Sequence, residues 1–565
     1  MEQPTRVTKL RVQNFRSIGR TVEINFIPHQ PVILLGENNA GKSNIVRSLD
    51  LILGQSWPGT HEPDDNEFFG RTRDRKISIV VDFAEDGLFA GKYEQLGWIY
   101  NPHQDDPLTF RGKPGFGGHE YGYVGKADRA KFICIVIEAE RNLSYQLSYG
   151  TKYTLLSRLM HKFHQALNED EQTKSDLISL FRAVRERFNE IQPFVDFTQV
   201  LQTRLGEFSG NMTHRLEVDF EAYNPVNFFH ALKLQAVEGN ESRGLQEMGT
   251  GEQQILALSL AYAYANAFHE GMLLVIEEPE SHLHPLAQQW LARRLRDMAS
   301  DGLQLLLTTH SSHFVNLLAL PNLVVVRKSA EGTYVTQLST EKLVEKCIQT
   351  GAPADRTKTD NILPFYAANS TPAILEGFFA CTVVLVEGAT EALALPELWR
   401  RLGYDHTEQG VAIIPVGGKG NLAKWKRIFE AYLIPCYVVF DNDTKDDRKG
   451  EKRRDALRAV AVPEEEQANL MNTPDWIVTL NYCVFGRNYE ENLRDEFPSY
   501  TALEEEAKNE GVEAKPFIAR WVAEKIPLEP NHPGAQKLQA MIAAISALTE
   551  NRPDRQYRTA QRTSS

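Results

Sequence analysis

The stretch Pro31-Val-Ile-Leu-Leu35, running directly into Gly36-Glu-Asn-Asn-Ala-Gly41-Lys42-Ser43, decides the reading of this chain. An unbroken apolar run of this length is the pattern of a strand buried on both faces. It ends at a glycine, and Asn44 to Leu53 then reads as a helix. The string G-x-x-x-x-G-K-S in a strand–loop–helix frame is a phosphate cradle. Gly36 and Gly41 let the backbone wrap an anion, and Asn38, Asn39 and Asn44 belong to the same loop and helix start. The helix N-terminus supplies N–H donors, Lys42 bridges β- and γ-phosphates, and Ser43 ligates Mg²⁺. The expected nucleotide is ATP.

Two later stretches fit the same chemistry. Met272-Leu-Leu-Val-Ile276 ends in Glu277-Glu278-Pro279-Glu280. There Glu277 can hold the Mg²⁺ water shell and Glu278 can polarise the attacking water. Leu305-Leu-Leu-Thr308-Thr309-His310-Ser311 is another buried strand with a polar end, which makes His310 a γ-phosphate sensor candidate. His282 and His284 read as structural. Gly249-Thr250-Gly251-Glu252-Gln253 precedes a long helical stretch, Gln254 to Phe268.

Composition bounds the rest. With 565 residues, three to four domains or two large ones are expected. A hydrophobic share of 42% with 24% charged residues excludes wholesale disorder and fibrous repeats. No apolar run reaches a membrane-spanning length, the greasiest (Ala373 to Val386) being broken by Glu376. The N-terminus carries no signal-peptide core. Five cysteines without a C-x-x-C pair argue against a zinc site and a disulfide framework. A cytoplasmic, membrane-free location is expected. The net charge of −13 excludes a generally basic coat but not a local basic groove.

Strands are expected at Val7–Val12, Thr21–Phe26, 77–83 and 132–137, with Gly87 to Gly125 looped. Leu155, Leu159 and Phe163, then Leu177, Leu180, Phe181 and Val184, lie at helical spacing and predict an inserted helical hairpin over 151–206. Gly332 to Pro372 reads as a linker. The resulting layout is an α/β chain: ATPase 1–150, helical insert 151–206, ATPase and linker 207–370, a second α/β domain 371–500, and a helical segment with a polar tail, 501–565.

A second constellation follows the linker. Thr382-Val-Val-Leu-Val386 ends in Glu387-Gly388, with Glu391 one helical turn on, and Cys436-Tyr-Val-Val-Phe440 ends in Asp441-Asn442-Asp443. In a parallel sheet these carboxylates meet at the strand C-termini. Crowded acids need cations to neutralise them, and two Mg²⁺ or Mn²⁺ ions would suit phosphodiester cleavage. Lys445 to Arg454, with Lys419, Lys424, Lys426 and Arg427, could add phosphate contacts.

Leu10-Arg11-Val12-Gln13-Asn14-Phe15-Arg16-Ser17-Ile18, GENNAGKS, IEEPESHLHP and TTHS together resemble the ABC ATPases of the RecF, SMC and OLD group. The resemblance implies that Arg16 lies near the nucleotide. It also makes Gly249 and Gly251 part of a signature motif that binds the γ-phosphate held by a partner subunit, hence a homodimer or tetramer. The Glu387/Glu391…Asp441/Asp443 pair, with Gly417-Gly418-Lys419-Gly420 between, resembles a Toprim domain. An ABC ATPase followed by a Toprim domain resembles the OLD (overcoming lysogenisation defect) nucleases, an arrangement shared by the Gabija nuclease subunit and retron-associated OLD proteins.

That family pattern implies a further acid, Glu490 (with Glu491 adjacent), and a charge-stabilising lysine, Lys515 or Lys525. It implies an ATP-regulated, metal-dependent DNA endonuclease of antiphage defence or DNA processing, with a helicase or retron partner possible. A Toprim ribonuclease and a RecF-like DNA clamp without nuclease activity are the alternatives.

Overall fold

The computed structural model describes residues 5–54, 56–115, 122–129, 131–138, 169–188, 247–268, 271–445 and 447–550, with short stretches between 156 and 244. The chain divides into two compact units, Met1–Ile137 with Glu270–Ser565, and Glu138–His269.

The first unit opens with strands β1 (Val7–Gln13), β2 (Val22–Asn25), β3 (Val32–Leu35), β4 (Ile77–Phe83), β5 (Tyr93–Tyr100), β6 (Leu108–Pro114), β7 (Gly122–Tyr123) and β8 (Phe132–Ile137). All but β3 and β8 form one antiparallel sheet, ordered β2-β1-β4-β5-β6-β7. The region expected to be looped, Gly87 to Gly125, therefore contains three strands. Cross-strand pairs such as Trp98 with Phe110 hold β5 to β6, and the Trp98 indole donates to the Pro58 carbonyl at 2.9 Å. Its burial pattern does not alternate, so period-2 reading misses it.

The second unit contains helix Glu171–Phe188, the antiparallel hairpin of β9 (Gln235–Glu238) and β10 (Glu241–Gly244), and helix Thr250–Phe268. The helix expected through Leu155, Leu159 and Phe163 falls outside the described residues, apart from Leu156 and Ser157, as does the tail 551–565.

Back in the first unit, β11 (Gly271–Glu277), β12 (Gln304–Thr309), β13 (Leu323–Ser329) and β14 (Gly332–Gln337) complete a second sheet, ordered β14-β13-β3-β12-β11-β8. All neighbours are parallel except β13 and β14. Val32 to Leu35 are buried throughout, as both faces of a central strand must be. One core joins this sheet to the antiparallel one, through Leu10, Val81 and Trp98 on one side and Leu34, Leu273 and Leu306 on the other.

The segment read as a linker is ordered: β14 is followed by helices Thr340–Gln349 and Thr359–Asn369. Each buries a narrow stripe, Leu343 with Cys347 and Ile362 with Tyr366. Beyond them β15 (Thr382–Val386), β16 (Val411–Pro415), β17 (Cys436–Asp441), β18 (Ile477–Val478) and β19 (Tyr482–Phe485) form a sheet ordered β16-β15-β17-β19-β18, parallel except for β18. The C-terminal helices Lys515–Lys525 and Pro533–Glu550 share its core, with Val522, Leu538 and Ile545 packed among residues such as Val384, Leu398 and Phe485. All five cysteines are buried thiols outside any disulfide. No helix among the described residues is long and apolar enough to cross a membrane.

Candidate functional sites: a phosphate loop and a carboxylate centre

The phosphate loop leaves β3 and enters helix Lys42–Leu53. Gly36 and Gly41 have φ of 151° and 110°, and a Cβ on Gly36 would lie 2.2 Å from the Val326 carbonyl oxygen. Only glycine serves there. Lys42 Nζ donates to the Gly36 and Glu37 carbonyls at 2.9 and 3.0 Å and lies 3.0 Å from His310 Nε2. Burial pulls the Lys42 pKa down to about 8 against the pull of Glu278, Glu280, Glu37 and Glu277. Burial, then Lys42, lowers that of His310. A neutral imidazole can accept from the ammonium, so the pair is a matched one.

β11 delivers Glu277 to its end and Glu278 just beyond, in a left-handed conformation (φ 47°). The Glu278 N–H donates to the Thr308 carbonyl at 2.9 Å, and its carboxylate lies 3.8 Å from His310 Nε2. Glu280, not singled out from the sequence, accepts from the His310 N–H at 2.6 Å, and burial raises its pKa.

Arg16 lies 3.8 Å from Glu67 and its N–H donates to the Glu67 carbonyl. Its neighbour Ser17 reaches the loop's helix, accepting from Asn44 Nδ2 at 2.7 Å. Asn44 thus spends its amide on Ser17, while Asn38 and Asn39 stand on the loop itself, Asn39 with φ of 64°. Ser43 follows Lys42 in the helix's first turn. Gly249 and Gly251 stand at the head of helix Thr250–Phe268 in the other unit, where the Gly249 N–H donates to Glu252 Oε2 at 2.9 Å.

The carboxylate centre is built on the C-terminal ends of β15 and β17. Glu387 follows β15, and its Oε1 accepts from the Asp441 N–H at 2.7 Å. Glu391 lies in the first turn of helix Ala389–Arg401 and accepts from the Gly388 N–H at 3.1 Å. Asp441 ends β17, and its Oδ1 is buried without a hydrogen-bond donor. Burial, with the neighbouring acids, raises Asp441 well above the carboxylate range and Glu391 less far, and pushes Glu387 up to about 7. Three acids that resist ionisation side by side are a cation-seeking arrangement.

A lysine read from the sequence only as a groove cation stands at this centre. Lys419 Nζ lies 3.1 Å from Asp443 Oδ1 and 3.6 Å from Glu387 Oε1, with the residue 6% exposed. Gly417 and Gly418, at φ of 73° and 116°, make the turn that aims it, and the Gly418 N–H donates to the Glu387 carbonyl at 2.8 Å. The Gly-Gly-Lys-Gly string between the acid-ended strands was the available signal. Glu490, on helix Tyr489–Glu496, is buried and lies 3.0 Å from Lys515 Nζ. Burial opposes the Lys515 charge, but Glu490, Asp441 and Glu391 outweigh it and its pKa rises. Lys525 instead pairs with Glu506. Lys426 and Arg427 are buried in pairs with Glu430 and Asp455, so they are not groove cations.

Among the described residues no three Asp, Glu, His or Cys side chains already close into a metal cage. The donor set nevertheless fits hard divalent ions. It is all oxygen, and Mg²⁺ needs only one or two protein carboxylates, keeping waters and substrate phosphate for the rest. The donor-free Asp441 Oδ1 and the borrowed Lys419 ammonium mark where positive charge belongs.

Taken together, the loop and the centre define an ATPase joined to a Toprim-type carboxylate site. Comparison with known proteins agrees. A family model described as "AAA ATPase domain" matches residues 6–95 and 120–315, about half of the chain, and the chain belongs to that family. A model described as "Overcoming lysogenization defect protein-like, TOPRIM domain" matches residues 378–443. An OLD nuclease of Thermus scotoductus is 26% identical over 81% of this chain and 86% of its own. The Old nuclease of Escherichia phage P2 is 22% identical over 78% and 77%. Endonuclease GajA of Bacillus cereus is 23% identical, over 55% of this chain and 46% of its own. ATPase and Toprim domains together imply use of a nucleotide and of divalent metal in general.

Proposed function

We propose that this chain is a nucleotide-regulated, divalent-metal-dependent nuclease that cuts DNA. The observation that carries the reading is the convergence of Glu387, Glu391 and Asp441 at the ends of β15 and β17, with their pKa values raised and Lys419 placed between Glu387 and Asp443. Mg²⁺, or Mn²⁺, is the ion proposed, with Glu387, Glu391, Asp441, Asp443 and Glu490 as the residues that would hold it. When bound, such ions supply Lewis-acid stabilisation of the scissile phosphate and leaving oxygen.

The chain's own groups do the positioning. The Asp441 N–H fixes the Glu387 carboxylate. Lys419 holds Asp443 in place through its side chain and its carbonyl, at 3.1 and 3.2 Å. Lys515, two-thirds exposed beside buried Glu490, is placed to meet a phosphate arriving from solvent. At the other site, Lys42, Ser43, Glu277, Glu278 and His310 are proposed to bind and hydrolyse ATP with Mg²⁺.

Gly249 and Gly251 support a nucleotide-bridged homodimer or tetramer. A helicase or retron partner, and a role in antiphage defence or DNA processing, rest on family resemblance alone. The test is plasmid nicking in Mg²⁺, in Mn²⁺ and in EDTA. Cleavage by the wild type that EDTA and Asp441→Asn both abolish supports the reading. Cleavage that survives Asp441→Asn overturns it.

A further inference from the structure

A cavity of about 720 Å³ in the first unit lies outside both sites. Helices Thr340–Gln349 and Thr359–Asn369, with the loop between them, wall one side. Helices Lys419–Ala431 and Glu451–Ala459 wall the other. Its floor is apolar and aromatic, with Pro353, Ile362, Phe365 and Tyr366. Its walls bring together six cationic side chains against three carboxylates, in a chain whose net charge is −13.

Internal partners do not use up that charge. Arg427 is committed to Asp455 at 2.6 Å, and Arg356 lies 3.7 Å from Asp355. Among the described residues, no carboxylate forms an ion pair with Lys424, Lys452, Arg454 or Arg458. Lys424 is half-buried with its ammonium 4.3 Å from the centre of the Phe365 ring. Burial lowers its pKa, and Arg427 and Lys452 add to the fall while Asp455 opposes it. Cations crowded around an apolar floor favour a ligand with an apolar body and an anionic end.

We propose that this cavity binds a 5′-phosphorylated nucleoside, with the base on the Ile362–Phe365 floor and the phosphate held by Lys452, Arg454 and Arg458. The volume lies within the usual range for small-ligand pockets. A flat apolar base with a charged end matches a floor of rings below a basic rim. The ligand chemistry has two sources, a free mononucleotide or the phosphorylated end of a strand. Position gives occupancy a consequence. Gly420 lines the cavity, and the preceding residue is Lys419 of the carboxylate centre. Arg453, between Lys452 and Arg454, is buried and donates to the Asn442 carbonyl at 3.0 Å. The inference stands apart from the nuclease reading, because it concerns binding without cleavage.

The experiment is equilibrium dialysis of the full chain with radiolabelled dTMP in EDTA, where the carboxylate centre repels phosphate. The double variant Lys452→Glu with Arg458→Glu changes exposed side chains only, and a thermal melt checks its fold. Binding is expected to weaken about tenfold or more in that variant, as loss of two charge-assisted contacts requires, and to be unchanged in Lys42→Ala. Competition separates the sources. Displacement by a 5′-phosphorylated but not a 5′-hydroxyl oligothymidylate assigns the cavity to a strand end, and displacement by neither assigns it to a free nucleotide. No dTMP binding by the wild type, binding unaffected by the charge reversals, or inorganic phosphate competing as well as dTMP overturns the proposal. Plasmid nicking by the same preparation reports separately on the nuclease reading.

Discussion

Glu37 of the phosphate loop accepts a hydrogen bond from the Cys381 thiol at 3.1 Å, one residue before β15 begins. Arg327 closes the connection: its guanidinium lies 3.3 Å from Glu37 Oε1 and donates to the Ala380 carbonyl at 2.9 Å. The far end of β15 leads into Glu387. One short strand therefore runs from the nucleotide loop to the carboxylate centre, with a buried arginine clasping its near end. Arg327→Met is expected to lower stability by about 1–3 kcal/mol, because the carbonyl and carboxylate lose their donor. It is also expected to leave basal cleavage while removing ATP's effect on it. Thermal melts and cleavage with and without ATP check both; an unchanged ATP response means that coupling runs elsewhere.

Lys419→Gln removes the internal cation from among Glu387 and Asp443. The metal-free protein is expected to melt lower than wild type at pH 8, and added Mg²⁺ is expected to raise its melting temperature by more than it raises the wild type's. Equal metal-induced shifts in the two proteins would show that Lys419 does not stand in for a cation.

Asp441→Asn addresses the cost of the centre. The wild-type carboxylate is buried, without a donor on Oδ1 and beside three other acids, Glu391, Glu387 and Glu490. The neutral amide is expected to stabilise the metal-free chain by about 1 kcal/mol while cleavage disappears. A destabilised variant would mean that Asp441 makes contacts a carboxamide cannot copy.

His61 carries a pH dependence. Its Nε2 lies 2.8 Å from Glu67, and that hydrogen bond raises the imidazole pKa against the burial that lowers it. A folded-state pKa above the unfolded value means stabilisation fully present below about pH 6.5 and lost as pH rises through the raised value. The melting-temperature gap between wild type and His61→Ala is therefore expected to be larger at pH 6 than at pH 9. A gap independent of pH contradicts the charged pairing.

What the sequence made legible had a local signature. The phosphate loop and strands β3, β11, β12, β15 and β17 are apolar runs that end in glycine, acid or histidine, so burial and chemistry are written side by side. The missed features depend on partners distant in sequence. Arg427 reads as a free surface cation until Asp455, 28 residues on, is folded against it. Lys419 reads likewise until Gly417 and Gly418 turn it toward Glu387, 32 residues earlier by the numbering. The helices at Thr340–Gln349 and Thr359–Asn369 bury only two residues each, too narrow a stripe to rise above a polar, Pro- and Gly-punctuated stretch.

In the proposed function, a nucleotide site controls a carboxylate nuclease site. The most direct test is the rate of plasmid cleavage in Mg²⁺ with and without ATP, for wild type, Glu387→Gln and Lys42→Ala. The wild type is expected to cut at a rate that ATP changes, Glu387→Gln not to cut, and Lys42→Ala to cut at a rate ATP leaves alone. Cleavage by Glu387→Gln, or an ATP effect that persists in Lys42→Ala, contradicts it.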